Sequence, residues 1–226
     1  YGFKKADSIA TMGGMKKYDI RRTQGFVEAY LNHIANQGST KVDLGDICEE
    51  IYNELGEEYP DDSIINGLKG LENEKVIWVS EDRNVIALNY YRDMELNLVK
   101  KIKEMSTSKN NFVYNNWLEK IRSLEETQGW KFGEDQLEGI KMGLDNNFLV
   151  ITGKAGSGKS SLVSGILEVL GEDYNYVCCA LSGKASYNIA NMTGCQAFTM
   201  HKMMSMANKT NGYIEADVII IDEVGM

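Results

Sequence analysis

The sequence predicts an α/β chain, with a parallel sheet in its second half and a mainly α-helical region before it. Three observations carry that expectation. Residues 148–170 run from FLVIT, a short apolar strand, through the glycine-rich GKAGSGKS into SLVSGILEVL at helical spacing. YVCCA and DVIIIDE are apolar, strand-like runs separated by helical pattern, as expected of buried parallel strands. Before residue 110, amphipathic helical patterns dominate and are interrupted by only two β-rich runs.

The gross numbers set bounds. The chain has 226 residues, enough for one or two domains, and is 43% hydrophobic and 25% charged, as in soluble globular proteins. No stretch is long and apolar enough to span a membrane. The start, YGFKKADSIA, has neither an initiator Met nor a signal-peptide pattern, so the expectation is the interior of a longer, cytoplasmic polypeptide. Cys48, Cys178, Cys179 and Cys195 lack the paired spacing of a zinc site and read as reduced, buried thiols. The net charge of −9 argues against non-specific coating of nucleic acid. It is uneven, however. Residues 1–24 carry Lys4, Lys5, Lys16, Lys17, Arg21 and Arg22 against Asp7 and Asp19, whereas residues 43–62 are acidic with no Lys or Arg. A basic head on an acidic body allows a local nucleic-acid contact, and equally describes a solvated charged surface.

The elements follow in order. Residues 1–24 read as two short helices around Gly13-Gly14, with Ala6, Ile9, Ala10 and Met12 on one face of the first. Residues 23–37 form a further helix through Phe26, Val27, Tyr30, Leu31 and Ile34. Leu44, Ile47, Ile51 and Leu55 make residues 43–55 an amphipathic helix. Pro60 breaks it, and Asp61 or Asp62 caps a helix to about Glu74. KVIWVS and NVIALNYY, joined by EDRN, read as a hairpin. Helix, helix, hairpin is the order of a winged-helix unit, whose acidic first helix here favours a protein-interaction scaffold. Residues 91–105 return to helix, 106–111 are a polar linker, and 113–127 are helical again.

The stretch from Gly153 to Ser160 fits G-x-x-x-x-G-K-[ST] in the strand–loop–helix context the motif needs. Gly153, Lys154, Ala155, Gly156, Ser157 and Gly158 form a loop in which glycines let the backbone aim several N–H groups at one point. The following helix adds its positive end. Lys159 supplies a cation for β- and γ-phosphates, Ser160 a hydroxyl for Mg²⁺, and Ser161 lies beside it. ATP and Mg²⁺ are therefore the expected cofactors. Downstream, DVIIIDE ends in two carboxylates. Asp222 suits a metal-holding aspartate and Glu223 a residue that orients and polarises the attacking water, so Lys159 and Glu223 are the expected catalytic pair.

The segment between these motifs sharpens the reading. Residues 176–204 give a strand, a Ser-Gly-Lys-Ala turn, a helix and then T-G-x-x-A-x-T-x-H. This block, with DEVGM at the end, resembles the one that follows the phosphate loop in RecD-like helicases of superfamily 1. WKFGEDQLEGIKMGLDNN resembles their Q motif, which implies that Gln136 contacts adenine. YGFKKADSIATMGG resembles the helix-hairpin-helix entry of the subfamily with a long N-terminal extension. The resemblance implies a helix-hairpin-helix-like region at 1–40, a winged-helix-like unit at 41–105 and a first RecA-like motor domain, a P-loop NTPase fold, at 112–226, truncated at its C-terminal side. It implies ATP-driven 5′–3′ translocation on single-stranded DNA and duplex unwinding in recombination, repair or replication. The partners would be single-stranded and duplex DNA, a second RecA-like domain of the same chain, and a protein reached through the acidic winged-helix-like unit. Ser182 and Lys184, with Gly183, would grip a DNA phosphate, and Thr199 and His201 would lie close to the strand; without the resemblance, Ser182 reads as a helix cap and His201 as a structural histidine. Four positions depart from the pattern: Leu181 for Pro, Ser160 and Ser161 for a Thr pair, and Gly225 for Ser in D-E-x-S-M. The last puts coupling between sites in doubt. Two other readings stand beside the helicase: a non-enzymatic DNA-binding adaptor with a regulatory ATP switch, and the helicase region of a conjugative relaxase.

Overall fold

The computed structural model describes residues 2–154 and 156–224. Ala155 of the phosphate loop, Tyr1 and Gly225 lie outside the described residues. The chain forms two compact units, Tyr1–Lys101 and Ile102–Met226.

The first unit begins with α1 (Phe3–Met12) and α2 (Ile20–Asn36). The expected short second helix is absent. Gly14 takes φ +96°, and Asp19 caps α2 by accepting from the Arg21 N–H at 3.0 Å, so the helix starts at Ile20 and the preceding residues form turns. Next come β1 (Lys41–Asp43), α3 (Leu44–Leu55), α4 (Asp61–Asn73), β2 (Ile77–Val79) and β3 (Val85–Leu88). The strand order is β1-β3-β2, antiparallel throughout. The sequence reading missed β1, because three residues are too few to show a period.

The helix that follows, α5 (Asn89–Thr107), begins inside what reads as strand in NVIALNYY and takes up the start of the expected linker. Asn89 is the reason. Its backbone N–H bonds the Val76 carbonyl and its side-chain amide donates to Lys75 and Ile77 carbonyls, all at 2.9 Å. That clamp ends the ladder at Leu88. One core holds the unit together: Phe26, Val27 and Leu31 of α2 pack with Ile47, Ile51, Leu71, Ile77 and Ile86, and Phe3 of α1 meets Phe26 edge to face at 5.4 Å.

Four of the six cations in residues 1–24 are paired. Lys4 meets Glu54 at 3.1 Å, Lys17 meets Glu58 at 2.5 Å and Arg21 meets Asp19 at 2.6 Å. Arg22, largely buried, makes a two-pronged bond to Asp7 with both N–O distances 2.7 Å. Two of these pairs tie the basic head to the acidic α3 and the loop after it. Among the described residues this leaves Lys5 and Lys16 without an ion pair in that segment.

The second unit contains α6 (Trp117–Gln128), α7 (Glu134–Asp145), α8 (Lys159–Leu170), β4 (Tyr176–Ala180), α9 (Gly183–Thr193), β5 (Ala197–Thr199), α10 (Met200–Lys209) and β6 (Val218–Asp222). Residues 113–116 are not helical. Val113 donates its N–H to Tyr174 Oη at 2.8 Å, and Asn116 sits at φ +52°. The sheet is parallel, in the order β5-β4-β6, as the α/β expectation requires. Ile121, Ile140, Leu144, Leu162, Val169 and Leu170 form the core between α6, α7 and α8.

Two expectations about strands fail. Residues 148–152 show strand-like alternation, with Phe148, Val150 and Thr152 exposed and Leu149 and Ile151 half-buried, but they form no ladder. A strand exists through its neighbour's hydrogen bonds, and none is aligned beside this run. β6 likewise is not buried on both faces: Ile219 and Ile221 are 45% and 43% exposed and alternate with half-buried Val218, Ile220 and Asp222. It is the edge of the described sheet, covered on one face only.

Candidate functional site

The phosphate loop is placed by the packing of α7 on α8. Glycines make the close approach possible. A Cβ on Gly139 would come 2.5 Å from Leu162 Cδ1, one on Gly143 would come 2.4 Å from Ile166 Cδ1, and one on Gly165 would come 2.6 Å from Ile140 Cδ1. Each helix thus seats branched side chains of the other on its glycines. The C-terminal end of α8 is held by Lys120 of α6, whose Nζ donates to the Val169 carbonyl at 2.8 Å. On the side facing α9, Ser164 Oγ donates to the Met192 carbonyl at 3.3 Å.

At the other end of α8, Gly158 is the N-cap residue at φ +80°, and Gly156 lies at φ +78°. Both conformations favour glycine. The loop closes on itself through Ser157 N–H to the Lys154 carbonyl at 3.2 Å, and a Cβ on Gly153 would come 2.6 Å from Ser157 Oγ. Lys159 folds back over the loop and donates to the Gly153 and Lys154 carbonyls, both at 2.9 Å. Among the described residues it has no carboxylate partner, and Ser160 Oγ has no protein hydrogen bond. A glycine-rich turn leading into a helix N-terminus, with an ammonium lacking a carboxylate counter-ion and an unengaged hydroxyl among the described residues, is the donor set a polyphosphate with a divalent cation would take.

Gln136, at the third position of α7, lies against this loop. Its Oε1 accepts from the Gly133 N–H at 3.0 Å, and its Nε2 donates to the Gly158 carbonyl at 3.4 Å.

The parallel register gathers the remaining residues at one edge. Ala180 of β4 stands opposite both Thr199 of β5 and Asp222 of β6, so the three strands end in one row. In open α/β sheets the carboxyl ends of the strands are where ligands sit. Asp222 Oδ1 accepts from the Glu223 N–H at 3.0 Å, and Glu223 takes φ +56°, a left-handed conformation that sharply turns the chain out of β6. Ser182 follows β4 and caps α9 by accepting from the Ala185 N–H at 3.1 Å. Thr199 caps α10 by accepting from the Lys202 N–H at 3.3 Å. Lys184 and His201 are exposed at the starts of these two helices.

Sequence reasoning missed Ser186. It is buried, and its hydroxyl joins the Ser182 and Phe198 carbonyls at 2.9 and 2.8 Å, which ties the start of α9 to β5. It also missed the glycines of α7, although the small residues at 139 and 143, four apart on one helical face, are a readable sign of close helix packing. Among the described residues, no group of three or more His, Cys, Asp or Glu side chains is placed to hold an ion. Burial pushes the Cys178 thiol up to about 11 and the Cys179 thiol in the same direction. No described helix is long and apolar enough to cross a membrane.

A protein-family model described as an AAA domain matches residues 136–226, from Gln136 through the loop to the carboxylate pair and beyond. This stretch is similar to a P-loop NTPase-type domain, and its parallel sheet is compatible with that fold. Domains of this type occur in superfamily 1 helicases, so the match points to nucleotide binding and hydrolysis of a helicase-like kind for residues 136–226.

Proposed function

We propose that the chain works in an ATP-dependent DNA helicase of the RecD-like kind, moving 5′ to 3′ on single-stranded DNA in recombination, repair or replication. One observation carries the catalytic part of this reading: a loop whose Lys159 donates only to two loop carbonyls and whose Ser160 hydroxyl is unengaged, among the described residues, at the start of α8, in the same domain as a carboxylate pair at the carboxyl end of a parallel strand. Loop N–H groups and Lys159 would bind the β- and γ-phosphates of ATP. Ser160 and Asp222 would hold Mg²⁺, which when bound supplies charge neutralisation on those phosphates. Glu223 would orient and polarise the water that attacks the γ-phosphorus. Ser182, Gly183 and Lys184 would contact a DNA phosphate, with Thr199 and His201 nearby. The helical region at 1–40 and the acidic unit at 41–105 would serve as helix-hairpin-helix-like and winged-helix-like modules, the latter for a protein partner.

Hydrolysis in this scheme also needs arginines that reach the γ-phosphate from a second RecA-like domain. The 226 residues alone should therefore bind nucleotide weakly and neither hydrolyse ATP efficiently nor unwind DNA. The test is unwinding of 5′-tailed and 3′-tailed duplexes by this chain joined to a second RecA-like domain, with Lys159→Ala as control. Unwinding of the 5′-tailed substrate that disappears in the variant is expected. Equal unwinding by the variant would refute the role of the loop, and a preference for the 3′ tail would refute the polarity.

A further inference from the structure

We propose that Asn147 is a positioning residue for the phosphate loop, holding the run that enters the loop to a strap formed by residues 108–113. The inference rests on the nucleotide-site reading above. The sequence reads residues 106–111 as a polar linker, but the segment is stitched down along its length. Ser108 follows α5, and its Oγ donates to the Met105 carbonyl at 2.8 Å. Asn147 Nδ2 lies 2.6 Å from that Oγ, 3.1 Å from the Ser108 carbonyl and 3.2 Å from the Lys109 carbonyl, so its two protons are shared among these acceptors. Asn110 Nδ2 donates at 2.6 Å to the Leu144 carbonyl, one of the last of α7, for which the helix supplies no donor. Asn110 Oδ1 takes the Phe112 N–H at 2.8 Å. Val113 donates its N–H to Tyr174 Oη at 2.8 Å, and the Phe112 ring meets the Tyr174 ring edge to face at 5.0 Å. The strap thus ties the C-terminal end of α7 to the chain that leaves α8.

Asn147 stands where this strap can act on the site. Residues 148–152 lead directly from it into Gly153 and join no ladder among the described residues, although their alternating exposure is that of an extended run. In the middle of the run, Leu149 packs on α7, its Cδ2 3.4 Å from where a Cβ on Gly143 would lie, and Ile151 joins the core of α6, α7 and α8. At the far end, Lys159 Nζ donates to the Gly153 and Lys154 carbonyls, both at 2.9 Å. Apolar packing is non-directional and resists sliding along the run poorly. Asn147 therefore supplies the directional anchor at the entrance. An extended run spans about 3.3 Å per residue and has little slack, so a shift at Asn147 is carried along the backbone into the loop. The anchor acts on the loop itself and strengthens binding of any polyphosphate, whatever base it carries.

The neighbouring Asn146 provides the control. Its Nδ2 donates to the Met142 carbonyl at 2.9 Å, a bond to the last turn of α7 and not to the strap. The experiment compares the wild-type chain, Asn147→Ala and Asn146→Ala. Affinities for ATP and inorganic tripolyphosphate are read by displacement of a fluorescent nucleotide, and backbone order parameters of residues 149–153 by ¹⁵N relaxation. Asn147→Ala is expected to weaken both ligands by the same factor, about two- to tenfold for one lost hydrogen bond, and to lower the order parameters. Asn146→Ala, which also loses one side-chain bond, should leave both readouts at their wild-type values. Three results would overturn the proposal: wild-type affinity in Asn147→Ala; equal weakening in Asn146→Ala, which is loss of helix stability and nothing more; or weakening for ATP alone, which is an effect on the base. If the wild-type chain binds neither ligand, the nucleotide-site reading itself fails. The order parameters then still decide whether Asn147 holds the run, and wild-type values in Asn147→Ala would remove the strap as well.

Discussion

Gly158→Ala tests the local geometry on which the site depends. The substitution does two separable things. It places a side chain on a residue at φ +80°, which costs about 1–2 kcal/mol, partly offset by the about 0.4–1 kcal/mol that alanine removes from unfolded-chain entropy. It also drives a methyl to 2.2 Å from Gln136 Nε2. The Gln136 end is flexible, so it will swing away, and the cost of that movement is its bond to the Gly158 carbonyl, about 0.5–1.5 kcal/mol. The total is about 1–3 kcal/mol. Gln136→Ala removes the clash and leaves the φ strain. The double variant should therefore cost about 1 kcal/mol less than the sum of the two single variants. Urea unfolding of the second unit measures this through Trp117 and Trp130 fluorescence, in a Trp78→Phe background that silences the first unit. Additivity within about 0.5 kcal/mol would show that Gln136 does not abut Gly158.

Three further outcomes are expected. Lys159→Ala should weaken ATP binding about tenfold or more while moving the urea midpoint little, because its ammonium donates only to two solvent-accessible loop carbonyls; a nucleotide titration beside an unfolding curve checks both halves. Gly165→Ala should destabilise the second unit by about 1–3 kcal/mol through the 2.6 Å approach to Ile140 Cδ1, and Ile140→Val, which removes that carbon, should recover part of the loss. The Cys178 thiol, raised from 9.0 to about 11, is stabilising while protonated. Its contribution is fully present below pH 9 and is lost as the pH rises towards 11, a fall of about 2–3 kcal/mol that Cys178→Ala should flatten in urea midpoints taken from pH 8 to 11.

How much of this was legible depended on whether a signal was local. The amphipathic face of α3 read directly from Leu44, Ile47, Ile51 and Leu55, because a helix pattern is a property of a single segment; the cap expected of Asp61 or Asp62 is not made, since Pro60 is the N-cap residue of α4 and both aspartates lie in its first turn. The loop was legible for the same reason: eight consecutive residues hold its turns, its cation and its hydroxyl. Strand pairing is not local. FLVIT and VIIID carry equally apolar sequence, yet only the second finds a ladder, and nothing in either run states which neighbour will align with it. The end of β3 was misplaced because Asn89 ends the strand through carbonyls of residues 12 and 14 positions earlier. The basic head looked available because its partners, Glu54 and Glu58, lie in the acidic segment that made the charge asymmetry conspicuous.

Ser182 shows that a capping role and a ligand role need not compete. Its Oγ accepts the Ala185 N–H at 3.1 Å, which uses a lone pair and leaves the hydroxyl proton to donate. A DNA phosphate only accepts, so one oxygen can cap α9 and hold a phosphate at once. The two roles separate by substitution. Ser182→Asp keeps an N-cap acceptor but places a negative charge where a phosphate would bind. It should hold the unfolding midpoint within about 0.5 kcal/mol, since Asp and Ser cap equally well, and weaken single-stranded DNA binding about tenfold at low salt. Ser182→Ala should instead lose about 0.5–2 kcal/mol of stability with the cap. Fluorescence anisotropy with a labelled oligonucleotide, repeated at two salt concentrations, reads the affinity. If Ser182→Asp binds DNA as tightly as the wild type at low salt, the hydroxyl is a cap alone, and the proposed phosphate grip falls to the Gly183 and Lys184 backbone and the Lys184 ammonium.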